Sequence, residues 1–253
     1  MSLSPDQIEH YWQEGYVTGL RALSEEEAGA FLAELEEIEA REVEARGGRW
    51  HPRDYRPWEQ EDHPLVDWLD RLARHPAVLD HVASLLGPDI LVRNCDVFIK
   101  EPGVRRGIGW HRDTAVTGED ADRLLTVWLG LTDADDAKGA LRFSARSHRQ
   151  DIPGGPKDRF TLTLTKEAAT HLDPERTVHN TLRPGMMSMH HFATVHSSGP
   201  NTTTSRRVAF VGRYMSPAIS TDTAESGQAT LVRGQDTHRH FALKPRFPMT
   251  WTS

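Results

Sequence analysis

His111 and Asp113 stand two residues apart in Gly109-Trp-His-Arg-Asp113. On an extended chain such residues leave the same face, so an imidazole and a carboxylate converge on one point. A pair of this kind supplies two coordination positions for a divalent metal. A second histidine from elsewhere would complete the two-His-one-carboxylate set that leaves positions open on non-haem Fe(II). Candidates for it are His190, His191 and His196, all within Met189-His-His-Phe-Ala-Thr-Val-His-Ser-Ser-Gly-Pro-Asn201. The adjacent His190 and His191 read as strand residues, hydrogen-bonded in the core or beside a pocket. The helical His-Glu-x-x-His motif is absent and Cys95 is the single cysteine, which removes the usual zinc arrangements. Ten and eleven residues beyond His196, Arg206 and Arg207 enter an apolar run. An arginine aimed into a core is costly unless it meets an anion, and its planar guanidinium suits a carboxylate. An inward arginine near such a metal set therefore suits a dicarboxylate co-substrate, chelated at one end and salt-bridged at the other.

The elements that must position these groups are legible in outline. Ser4-Pro5-Asp6-Gln7 and Ser24 to Glu27 are two capping boxes, each opening a helix. The first helix runs to Gly15 and the second to about Ala45, before Gly47-Gly48; Tyr16-Val17-Thr18 between them is a predicted strand. Two more helices are expected, from Pro64 to Leu72 and from Pro76 until Gly87-Pro88 breaks the pattern. Beyond Ile90 the apolar period changes from helical to alternating. Strands are predicted at Ile90–Lys100, 123–131, 139–144, Val178–Leu182, Met186–His191 and Arg207–Tyr214, with Pro102, Gly103, Gly107 and Gly109 marking a turn. Many short strands with Gly/Pro turns argue for a sandwich or barrel. The polar stretches 47–63 and 149–176 are long enough to act as lids, and residues 218–253 have weak periodicity and are expected to pack irregularly.

Composition narrows the classes. A chain of 253 residues buries one sizeable core. A net charge of -7 argues against a nucleic-acid partner. No apolar run approaches a membrane span, and no signal segment opens the chain. One cysteine fits a reducing cytoplasm. Arg112, Arg142 and Arg146 are candidates to meet an anionic substrate.

The motifs together resemble the phytanoyl-CoA dioxygenase family of Fe(II)/2-oxoglutarate-dependent oxygenases. The matching pieces are Phe98-Ile-Lys-Glu-Pro-Gly103, Trp110-His-Arg-Asp113, Thr126-Val-Trp128, Gly139-Ala-Leu with Arg146-Ser-His148, and His196-Ser-Ser-Gly-Pro-Asn201 with Arg207. They follow in order over roughly residues 5–215. The resemblance implies a mostly β protein with a helical N-terminal layer on a double-stranded β-helix (jelly-roll, cupin-like) core. It implies one domain over 1–253, with a buttress over about 1–88, the core over about 89–216 and the tail beyond. By resemblance, His111, Asp113 and His196 bind iron, and Arg207, at the family's eleven-residue interval, grips the distal carboxylate of 2-oxoglutarate. Lys100, Trp128 and Ser198 match positions that help hold that co-substrate. O2 completes the expected reactants, with hydroxylation of a small-molecule C–H as the expected outcome. Asp113 favours this over halogenation, since halogenases of the wider fold carry Gly or Ala there. The sequence departs from the family where Gly185-Met186 replaces Gly-Asp, and where Ala145-Arg146-Ser147-His148 replaces Pro-Gly-Ser-His. Two alternatives are an iron oxygenase that does not use 2-oxoglutarate and a non-catalytic cupin-like binding protein. Substrate identity and oligomeric state are not legible.

Overall fold

A computed structural model describes residues 2–51, 63–113, 119–152, 157–158, 161–220 and 227–246. Helix α1 (Pro5–Glu14) starts at Ser4, whose hydroxyl accepts from the Gln7 amide while the Gln7 side chain accepts from the Ser4 amide. Helix α2 (Glu25–Arg46) repeats this reciprocal cap with Ser24 and Glu27. Each box satisfies two amides that a helix start leaves open. Between these helices runs β1 (Tyr16–Arg21), and α3 (Pro64–Ala73) and α4 (Pro76–Leu86) complete the helical layer.

The remaining strands build two sheets. The larger is ordered β1, β9 (Met186–His191), β4 (Leu124–Gly130), β11 (Arg207–Met215), β2 (Ile90–Lys100), β12 (Gln228–Arg233) and β13 (Ala242–Leu243). The second is ordered β6 (Lys157–Asp158), β7 (Thr161–Thr163), β3 (Ile108–Arg112), β10 (His196–Ser198), β5 (Leu141–Ser144) and β8 (Thr177–Asn180). The central strands β9, β4 and β11 of the large sheet are buried on both faces, and strand alternation divides their residues between two environments. Val127, Leu129, Met187, Met189, Val208 and Phe210 face the helices, packing with Leu35, Leu65 and Trp68. Trp128, Ala209 and Val211 face the other way, against Leu141 and Phe143 of the second sheet. The candidate site lies in this space between sheets.

The C-terminal region differs from the expected irregular tail. Gln228–Arg233 pairs antiparallel with β2, and Phe241 packs near Ala229 and Leu91. An uncovered β2 would present unpaired backbone groups, and β12 satisfies them. Its burial does not alternate, which is why its sequence carries little strand signal. The stretch 149–176 also differs from a simple lid. In its described part β7 pairs with β3, and Leu164, Ala168 and Leu172 pack on Val195 with Trp110 against the outer face of the second sheet. In the other lid candidate Trp50 is buried and stacks on His63, and residues 52–62 lie outside the described residues. No helix among the described residues is long and apolar enough to cross a membrane.

Candidate metal centre and anion pocket

Antiparallel pairing of β3 with β10 sets His111 directly opposite His196. Their rings come within 4.1 Å, centroid to centroid. Asp113 follows β3 on the same face, its backbone amide donating to the Phe192 carbonyl. One ligand atom from each of His111, Asp113 and His196 lies within 4.8 Å of the others. His190 and His191 do not belong to this group; among the described residues the three are the one such cluster.

The chemistry of the donors suits a divalent cation. His111 Nδ1 lies 2.8 Å from the Gly109 carbonyl and His196 Nδ1 lies 3.0 Å from the Thr194 carbonyl. A carbonyl only accepts, so each Nδ1 carries the proton and each Nε2 lone pair is left for the centre. Burial, with the neighbouring imidazole, lowers both histidines to about 4, so the rings are neutral at pH 7. Burial alone would raise Asp113, but Arg213, His196 and His190 hold its carboxyl well below the usual range. The cluster therefore offers two neutral nitrogens and one carboxylate. That set fits Fe(II) with open positions.

Across the pocket stands a pair of cations. Lys100 and Arg207 are direct cross-strand neighbours in the β2–β11 ladder. Like charges placed opposite one another are destabilising unless an anion lies between or beside them. Arg207 is 2% exposed; its Nη1 donates to the Gly139 carbonyl at 2.9 Å, and its guanidinium lies 5.3 Å from the Trp128 ring centroid. Lys100 Nζ donates to Ser198 Oγ at 2.8 Å and to the Gly199 carbonyl. Burial, Arg207 and Arg142 lower its ammonium to about 7. The structure thus brings Arg207, Lys100, Trp128 and Ser198 into one neighbourhood.

The pocket encloses about 420 Å³, its open mouth included, and Phe98, Ile108, Leu141 and Val211 supply apolar wall beside the metal group. Ile108 is also among the few exposed large apolar residues. Strand parity explains the choice between neighbouring arginines. Arg207 points between the sheets, whereas Arg206 reaches the opposite layer and grips Glu39 of α2 at 2.8 and 2.9 Å.

Three expected anion contacts are engaged elsewhere. Arg112 Nη2 donates to the carbonyls of Ser147 and Gln150. Arg146 makes a two-pronged pair with Glu14, joining the second sheet to α1. Arg142 alternates to the face opposite Leu141 and Phe143, over the Trp110 ring at 5.7 Å. His191 spans Asp122 and the Ala193 amide, away from the centre. Sequence reasoning missed Thr126 and Arg213, which line the pocket, and gave His190 no role there. Parity was the available signal: Thr126 precedes Trp128 by two and Arg213 follows Arg207 by six.

The family model described as phytanoyl-CoA dioxygenase (PhyH) matches residues 11–209. A probable alpha-ketoglutarate-dependent hypophosphite dioxygenase of Stutzerimonas stutzeri is 28% identical over 149 residues, 57% of this chain and 52% of that one. The chain thus spans about half the length of that relative. Among solved structures, the apo non-heme monooxygenase ThoJ superposes with a TM-score of 0.76 at 31% identity, covering 96% of this chain and 89% of that one. The epimerase SnoN, in complex with Fe3+, alpha ketoglutarate and nogalamycin RO, gives a TM-score of 0.65 at 25% identity, covering 84% and 83%. With the model match spanning most of the chain, the protein belongs to the phytanoyl-CoA dioxygenase (PhyH) family.

Proposed function

We propose that the protein is an Fe(II)/2-oxoglutarate-dependent dioxygenase that hydroxylates an unactivated C–H bond of a small molecule, on a single jelly-roll domain in a reducing cytoplasm. The observation that carries this reading is the coexistence, in one pocket, of the His111, Asp113 and His196 group with Arg207, whose direct cross-strand neighbour is Lys100. In this reading His111, Asp113 and His196 would hold the ion and leave coordination positions open for reactants. Arg207 takes the far carboxylate of 2-oxoglutarate in a planar grip, assisted by Lys100 and Ser198. Trp128 backs the guanidinium and fixes its plane. When bound, iron with 2-oxoglutarate and O2 supplies the oxidising power, releasing succinate and CO2. Phe98, Ile108, Leu141 and Val211 exclude water and leave a polar centre with an apolar approach. This wall suits a substrate whose reacting carbon sits on an apolar portion. The similarity to ThoJ and SnoN supports the enzyme class and leaves the substrate to experiment.

The test is anaerobic. Adding 2-oxoglutarate to the Fe(II)-loaded protein is expected to produce a weak visible metal-to-ligand charge-transfer band, and Arg207→Gln is expected to weaken it at equal concentration. A wild-type protein that binds Fe(II) but shows no band would assign the cation pair to the primary substrate. A screen for succinate formation in air would then find the substrate that couples turnover.

A further inference from the structure

His190 is the unexplained group of the pocket. It is 1% exposed, lines the cavity, and neither ring nitrogen makes a well-directed hydrogen bond. Its ring sits 4.5 Å from that of His196 and 5.3 Å from that of Phe143, centroid to centroid. An imidazole in so buried a place costs free energy unless its polar atoms are used. The polar atom within reach is on Asp113: His190 Nε2 stands 3.4 Å from Oδ2.

The same oxygen is already held from a second side. Thr126 Oγ1 donates to Asp113 Oδ2 at 2.6 Å. The other oxygen, Oδ1, stands 3.9 Å from His196 Nε2 and 3.8 Å from Arg213 Nη2, with no hydrogen-bond donor as close as Thr126 is to Oδ2. The two oxygens of Asp113 therefore have different surroundings. Thr126 and His190 are cross-strand partners in the β4–β9 ladder, so the arrangement is built into the register of the large sheet.

We infer that Thr126 and His190 form a two-donor clamp on Asp113 Oδ2 that presents Oδ1 alone to the metal and keeps the carboxylate one-pronged. A two-pronged carboxylate would occupy one more coordination position, at the expense of a reactant. The clamp thus protects an open position. Both are positioning residues that act through Asp113, and the inference rests on His111, Asp113 and His196 holding a divalent ion. Partners of this kind typically change metal affinity by about 10- to 100-fold.

Co(II) titration of the metal-free protein, read by visible absorption, tests the clamp in the absence of turnover. Thr126→Val keeps the shape and removes the donor; His190→Phe keeps the aromatic contact with Phe143 and removes the nitrogens. Each is expected to weaken Co(II) binding about 10-fold or more and to change the position and intensity of its bands, with thermal stability of the metal-free protein held. Thr126→Ser, which restores a hydroxyl, is expected to return affinity and bands to wild type. Wild-type affinity and bands in both Thr126→Val and His190→Phe would overturn the clamp, as would equal losses in Thr126→Val and Thr126→Ser. A wild-type protein that binds no Co(II), or an unaffected His111→Ala, would instead overturn the metal site itself.

Discussion

Lys100 is the residue whose charge the pocket has made conditional. Burial, then Arg207 and Arg142, bring its ammonium down to about 7, so at neutral pH the free protein holds that proton only in part. A carboxylate docked beside it favours the charged form and raises the group again. Binding of 2-oxoglutarate then takes up a proton above pH 7 and takes up none well below it. Affinity is therefore complete in mild acid and falls as pH rises, by at most about tenfold per unit. Anaerobic titration of the Fe(II) protein at about pH 6 and about pH 8 measures this. Lys100→Met is expected to bind more weakly and to lose the slope. A wild-type affinity independent of pH over that interval would show that Lys100 does not serve the bound anion. Arg207 is expected to give no slope of its own, because a guanidinium keeps its proton throughout.

At the scale of elements, the turn before β5 is the tightest joint around the anion pocket. Gly139 has φ +72, and a Cβ there would lie 2.4 Å from the Gly199 carbonyl oxygen, 2.8 Å from that of Pro200 and 3.0 Å from Lys100 Nζ. Arg207 also donates to the Gly139 carbonyl. Gly139→Ala is expected to destabilise the protein by more than about 1 kcal/mol and to weaken 2-oxoglutarate binding while leaving Co(II) affinity near wild type. Thermal melting and the two titrations separate these effects; equal loss of metal and anion would show that the joint supports the whole centre. Much at this scale was legible in the chain. The capping boxes at Ser4 and Ser24 and the apolar strands follow from local rules, whereas the choice of Arg207 over Arg206 came from the interval that the family resemblance implies. What was not legible depends on partners distant in sequence. Arg112 faces the Ser147 and Gln150 carbonyls, Arg146 faces Glu14, and β12 owes its strand state to β2. No local pattern encodes those meetings. The use of Thr126 and His190 depends on the register that sets them side by side, which periodicity alone does not fix.

For the molecule as a whole, the fold stores a set of buried histidines in neutral form, two of them in the candidate metal group. Burial brings His111, His191 and His196 down to about 4, and lowers His190 and His148 as well. In the unfolded chain these rings would titrate near 6.5, the ordinary value. Between those limits the unfolded state binds more protons than the native state, so stability falls as pH is lowered through the interval and levels off below the folded values. Carboxylates held below their usual range, such as Asp113 and Glu14, add their loss only in stronger acid. The window from about pH 6.5 down to about pH 4.5 therefore isolates the histidines. Melting of the metal-free protein is expected to move to lower temperature across that window. In the proposed site a divalent ion would take the Nε2 lone pairs of His111 and His196, so Co(II) is expected to hold the melting temperature up and to lose this protection toward the acid end. His111→Gln removes one such ring and is expected to flatten the slope of the metal-free protein. A melting temperature unchanged between the two pH values, or a slope identical in His111→Gln, would mean that these rings are already accessible to protons in the native fold. The expected slope would instead show that the site's readiness for a cation is maintained at a cost in acid stability.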